Sequence, residues 1–168
     1  VGVLEPELIM PHLILTNSLK NTNYSVQDFN KSNRVISVSL SQQSAPEIKI
    51  TLDGNSPKIQ CKIKLHAHLV SSGSDINFYK EENKKRLVNE LNTSIKNDIS
   101  TYLDKTIREY KSDIIGFGRI AKMNFLTWKE FEKYDWLTNY KNSTYELEVE
   151  TDLNIAQILS HKVPNTEE

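Results

Sequence analysis

Between residues 80 and 111, Leu87, Leu91, Ile95, Ile99, Leu103, Ile107 and Tyr110 recur at three- and four-residue steps, and Ile114 continues the series. A stripe of that period belongs to an amphipathic helix. At 1.5 Å per residue the helix would be roughly 45 Å long, enough to cross a sheet diagonally. Lys, Glu, Asp and Asn fill its other face. A helix this long with a single apolar face must lie on a broad apolar surface elsewhere in the chain.

The strands before it supply that surface. Ile36, Val38 and Leu40 alternate with serines, then Ile48, Ile50 and Leu52 share a face, and Asp53-Gly54-Asn55 offers residues that tolerate positive φ in a hairpin. From Lys58 onward, Ile59, Cys61, Ile63, Leu65, Ala67 and Leu69 point one way, with Gln60, Lys62, Lys64, His66 and His68 opposite. The last element alternates from Thr144, with Tyr145, Leu147, Val149, Leu153, Ile155 and Leu159 facing in and Glu146, Glu148, Glu150 and Asp152 facing out. The order is strands, long helix, short helix, strand. It predicts an α+β fold in which an antiparallel sheet of about four or more strands is covered on one face by the long helix and a shorter helix containing tryptophan.

The shorter helix has a clear start. Thr127-Trp-Lys-Glu130 is a capping box, and Leu126 with Phe131 fits a hydrophobic staple. Gly116 and Gly118 are expected to end the long helix at positive φ, so valine at either position should lower stability. Residues 17–33, rich in Asn and Ser, read as a loop after an N-terminal element. With 168 residues, 38% of them hydrophobic, and no internal repeat or long linker, the chain is expected to form one domain over residues 1–168, with residues 1–33 the least regular part. It begins at Val1 and has no leader-like stretch, so it is expected to be a piece of a longer protein. Its most apolar run, residues 8–15, is short and interrupted by Pro11, so the piece should be soluble.

Several chemistries are weighed and set aside. A net charge of −1 gives no drive toward nucleic acid. The lone Cys61 excludes an internal disulfide and a multi-cysteine zinc site. Gly116-Phe-Gly-Arg-Ile-Ala121 fits a dinucleotide-binding pattern formally but follows a helix instead of a strand. His66 and His68 could ligate a metal with His12 or His161, yet they stand among lysines without a carboxylate at ligand spacing. Glu146, Glu148 and Glu150 read as solvation of an outer strand face. No motif nominates a catalytic group or a cofactor. Trp128, Phe131, Tyr134 and Trp136 form an aromatic cluster, mostly core at that spacing, from which an interface residue could be drawn.

The run Lys111-Ser-Asp-Ile-Ile-Gly-Phe-Gly118, then Trp128, Trp136 and the alternating strand from Tyr145 to Leu159, resembles the C-terminal domain of the GerAC-like C-subunits of spore germinant receptors. In that family a long helix ends in Gln-Lys-x-x-x-Asp-hydrophobic-x-Gly-hydrophobic-Gly. The residues carrying the pattern here are Asp113, Gly116, Phe117, Gly118, Trp128 and Trp136. The resemblance is fullest over residues 75–160 and thinner over residues 34–70. Tyr110 replaces the usual glutamine, Lys111 stands closer to Asp113 than in the pattern, and Gln157-Ile158 replaces a Thr/Arg-Gly pair. The resemblance implies a non-catalytic domain of a lipoprotein on the outer surface of the spore inner membrane, anchored by an N-terminal lipid absent here. It also implies work alongside A- and B-type membrane subunits in nutrient-triggered germination. Protein interaction is the expected role. A small-ligand pocket between the long helix and the sheet is the alternative.

Overall fold

The computed structural model describes residues 5–31, 33–73 and 75–155. Its longest strand, β4 (Ser56–Ser72), organises the sheet. Along one edge of β4 lies β5 (Thr144–Asn154), from Lys58↔Thr144 to His68↔Asn154. The other edge is shared end to end by β3 (Glu47–Asp53) and β2 (Val35–Gln42), both antiparallel to β4, and β1 (Thr22–Gln27) pairs with β2. Gly54, at φ 53°, makes the reversal from β3 into β4. The break between β2 and β3 falls before Pro46, which has no amide hydrogen to give to the ladder.

β5 runs parallel to β4, so the sheet is mixed where the alternation alone predicts an antiparallel one. The reason is the connection. A parallel neighbour requires a crossover of a dozen or more residues, and the helices between Ser72 and Thr144 return the chain to the starting end of β4. Alternation of side chains is the same in parallel and antiparallel strands, so it carries no sign of strand direction.

The helix that covers the sheet is α2 (Glu81–Asp104), with Leu87, Leu91, Ile95, Ile99, Tyr102 and Leu103 buried. It runs on into a π turn, Lys105–Glu109, closed by the Tyr110 amide donating to the Lys105 carbonyl at 2.8 Å. The wider turn re-phases the apolar stripe. Ile107 stays buried, whereas Tyr110 and Ile114, expected on the same stripe, are 42% and 40% exposed. Lys111, at φ 49°, ends this helix, with the Ser112 amide reaching back to the Thr106 carbonyl. The two glycines therefore lie beyond the helix end and do not make it.

Two N-terminal elements are more regular than the sequence suggests. Residues 17–33 contain β1, held to α2 by the Tyr24 hydroxyl, which donates to Asp98 Oδ2 at 2.7 Å and lies 2.7 Å from Ser94 Oγ. The helix α1 (Pro6–Leu15) passes through Pro11 and buries Leu8, Ile14 and Leu15, while His12 Nδ1 meets the Tyr102 hydroxyl at 2.8 Å. Its burial holds the helix despite one lost backbone bond. The part of the expected last strand at Leu159 lies outside the described residues.

Candidate functional site

Beyond Lys111 the chain turns around the Asp113 carboxylate. Oδ1 accepts from the amides of Gly116 at 2.9 Å and Phe117 at 2.8 Å. Oδ2 accepts from the Gly118 amide at 2.7 Å and from Trp136 Nε1 at 2.9 Å. A carboxylate with four N–H donors is a strong local organiser, because charge-assisted hydrogen bonds exceed neutral ones. Here it starts the short helix α3 (Phe117–Ala121) and ties it to α5 (Trp136–Tyr140).

The two glycines serve different ends. Gly116 is left-handed at φ 86°. Gly118 is helical, contrary to the positive φ expected of it, and is needed for proximity: an added Cβ would lie 2.7 Å from Trp136 Cδ1. Phe117 is fully buried against Tyr140, whose ring also packs on Trp136. The Tyr140 hydroxyl meets Thr106 Oγ1 at 3.3 Å in the π turn, and burial pushes the phenol pKa up. Asp113, Gly116, Phe117, Gly118 and Trp136 are thus one structural assembly. The carboxylate occupies the amides that a phosphate would need, which disposes of the dinucleotide reading.

Next in the chain is α4 (Trp128–Tyr134), and its capping box forms as the sequence indicates: the Glu130 amide donates to Thr127 Oγ1 at 3.3 Å, and the Thr127 amide to Glu130 Oε2 at 3.3 Å. The staple does not use Leu126. Its amide also binds Glu130, at 3.1 Å, and its side chain turns out to 97% exposure. Phe125 takes that place, with its ring 5.6 Å from Phe131 and 5.3 Å from Tyr134.

The four aromatic candidates divide accordingly. Trp136 is buried in the Asp113 assembly, and Phe131 and Tyr134 are half-buried. Trp128 is 53% exposed, with Lys122 Nζ 4.4 Å from its ring centroid and its indole N–H donating to Glu132. Met123 (78%) and Leu126 (97%) are exposed beside it in sequence. Neither was among the sequence candidates, since Leu126 was assigned to the staple and Met123 belongs to no motif. Met123, Leu126 and Trp128 are thus three exposed apolar side chains within six residues, on a segment held by hydrogen bonds of Asn124 to Ile50 and of Leu126 and Thr127 to Glu130.

The outer sheet face is occupied by ion pairs. Glu146 meets Lys58 at 2.5 Å and accepts from Gln60 at 2.8 Å; Lys62 bridges Glu148 and Glu150 at 2.9 and 3.0 Å; His66 Nδ1 lies 3.3 Å from Asp152. His12 is instead engaged with Tyr102, and His161 lies outside the described residues. Among the described residues no three His, Cys, Asp or Glu groups converge. Cys61 is buried, which pushes its thiol up to about 12. At the seam between α2 and the sheet, the place of the alternative small-ligand pocket, Leu91, Ile95 and Ile99 of α2 and Ile63 and Leu65 of β4 are fully buried. No described helix is long and apolar enough to cross a membrane.

Comparison with known proteins adds three findings. Residues 1–157 match the family model described as spore germination B3/GerAC-like, C-terminal. No curated protein matches the chain. Among solved structures, the crystal structure of the GerBC protein superposes with a TM-score of 0.74 at 16% identity, covering 91% of this chain and 47% of that one. The chain therefore spans about half the length of GerBC. At that identity the likeness speaks to the fold: a mixed, curled sheet under a long helix.

Proposed function

The chain belongs to the GerAC-like C-terminal domain family of spore germination proteins, and from that membership we propose that it is a non-catalytic interaction module of a germinant receptor C-subunit. The observation carrying the proposal is the exposure of Met123, Leu126 and Trp128 on a rigidly capped segment. Exposed Trp with aliphatic neighbours is the composition of binding hot spots, and a preorganised surface loses little conformational entropy on docking. The partners we assign are the A- and B-type membrane subunits of the receptor. The setting we assign is the outer surface of the spore inner membrane, reached through an N-terminal lipid anchor of the full-length protein. The burial of Leu91, Ile95 and Ile99 under α2 favours the interaction reading over a ligand pocket at that seam.

Co-purification of the full-length receptor from spore membranes tests this reading. With Leu126→Asp in the C-subunit, recovery of the A- and B-type subunits should fall at least tenfold while the amount of C-subunit is unchanged. Undiminished recovery would remove the surface from the interface.

A further inference from the structure

A groove of about 390 Å³ lies between the end of α1, the connection from β2 into β3, and α3. Leu15, Pro46, Ile48, Ile115 and Ile120 give it apolar walls, and Arg119 is the one charged residue of its lining. Arg119 is exposed and differs from the other three arginines of the chain. Arg34 pairs with Asp75, Arg108 pairs with Asp104, and Arg86 lies over the Phe29 ring. Among the described residues Arg119 meets neither a carboxylate nor a ring. The carboxylate of its own turn, Asp113, already accepts four N–H groups and has no free lone pair to offer a guanidinium. Gly116 leaves the guanidinium its room, since a Cβ there would stand 3.1 Å from both Nε and Nη2 of Arg119.

We propose that this groove is a second docking site, and that its occupant is an extended segment of a protein partner with a glutamate or aspartate between aliphatic side chains. Charge complementarity selects the carboxylate: the planar guanidinium can hold it through two parallel N–H donors, and no internal ion pair has to break first. The apolar walls select the aliphatic neighbours, whose burial removes apolar surface from water on both sides. The open shape of the groove selects a peptide chain over a small molecule, because a small-ligand pocket buries most of its ligand's surface. The site does not rest on the surface assigned to Met123, Leu126 and Trp128.

Nuclear magnetic resonance titration of the isotope-labelled 168-residue chain tests the proposal with three capped peptides, acetyl-Ile-Glu-Ile-amide and its Gln and Lys counterparts. The Glu peptide should shift the amides of Ile115, Gly116 and Ile120 and the Arg119 Nε–H saturably, and should bind about tenfold more tightly than the Gln peptide. Arg119→Gln should erase that preference, and Arg119→Glu should transfer it to the Lys peptide, a reversal that a merely structural arginine would not give. Both variants should fold, because the side chain they replace is exposed. Leu126→Asp should leave peptide binding unchanged, so failure of the Trp128 surface and failure of this groove are read separately. Equal affinity for the three peptides, or no shift with any of them at millimolar concentration, overturns the proposal. So does free valerate binding as tightly as the Glu peptide, which would assign the groove to a small carboxylate, or shifts of Gly116 that follow the concentration of the chain alone, which would assign it to a second copy.

Discussion

At Asp113 each carboxylate oxygen accepts two N–H groups, so Asp113→Asn places an amide NH2 against at least two donors that it cannot accept. Leaving two partly buried donors unpaired should lower stability by about 2 kcal/mol, read from urea denaturation as a lower midpoint at unchanged slope. The neighbouring glycines should respond differently. A Cβ at Gly116 meets only the Arg119 side chain, at 3.1 Å, so alanine there costs about 1–2 kcal/mol, mostly for the left-handed backbone. A Cβ at Gly118 meets an indole whose N–H is held by Asp113. Overpacking of this kind costs about 1–3 kcal/mol. In a Trp136→Leu background the Gly118→Ala penalty should shrink while that of Gly116→Ala stays the same; equal penalties in both backgrounds would show that the indole is not the obstacle. The sequence displayed these residues as a spaced pattern. It could not display that Asp113 and Trp136, 23 positions apart, share a hydrogen bond, nor that Gly118 is small to admit a ring and not to adopt an unusual φ.

Among the secondary-structure elements, β4 and β5 are joined on their outer face by charge. Lys58, then Gln60, hold the Glu146 carboxyl below its ordinary value of 4.5, and Lys62 does the same for Glu150. A carboxyl lowered on folding contributes stability that is complete above its unfolded pKa and is lost as pH falls through the folded one. The melting temperature should therefore decline as pH drops below about 4.5, and less steeply in a Glu146→Gln, Glu150→Gln double variant. Because these groups are exposed, about 1 M salt should shrink the difference between the two profiles. Identical profiles would mean that the pairs solvate the strand without stabilising it. The alternation that exposes these glutamates made β2, β3, β4 and β5 readable from composition and spacing. β1 escaped because its anchor is a polar one, Tyr24 onto Asp98, and its alternation of Thr22, Tyr24 and Val26 with Asn23, Ser25 and Gln27 contains one aliphatic residue within an Asn- and Ser-rich stretch. The π turn escaped because one extra residue per turn shifts the stripe without changing the residue types that compose it.

For the whole molecule, the decisive contrast lies between a sheet face whose charges are paired and a helical segment whose apolar side chains are not covered. The α+β arrangement was legible in the sequence because a long one-faced helix requires a sheet. The surface was not, because Leu126 satisfies a staple pattern until Glu130 takes its backbone amide and turns its side chain outward. A photo-reactive residue placed at Met123 or Leu126 of the intact receptor should therefore cross-link to an A- or B-type subunit, whereas one at His68 or Lys49, on strands of the sheet, should not. Trp128→Ser should abolish the cross-link from Leu126 and change the melting temperature of the domain by no more than a few degrees, since a half-exposed side chain contributes little to the core. Cross-links of equal yield from all four positions would indicate a partner that envelops the domain without selecting a face. Cross-links from His68 and Lys49 alone would move the docking site to the charged sheet, where the Lys62 bridge to Glu148 and Glu150 would then have to open to meet the partner.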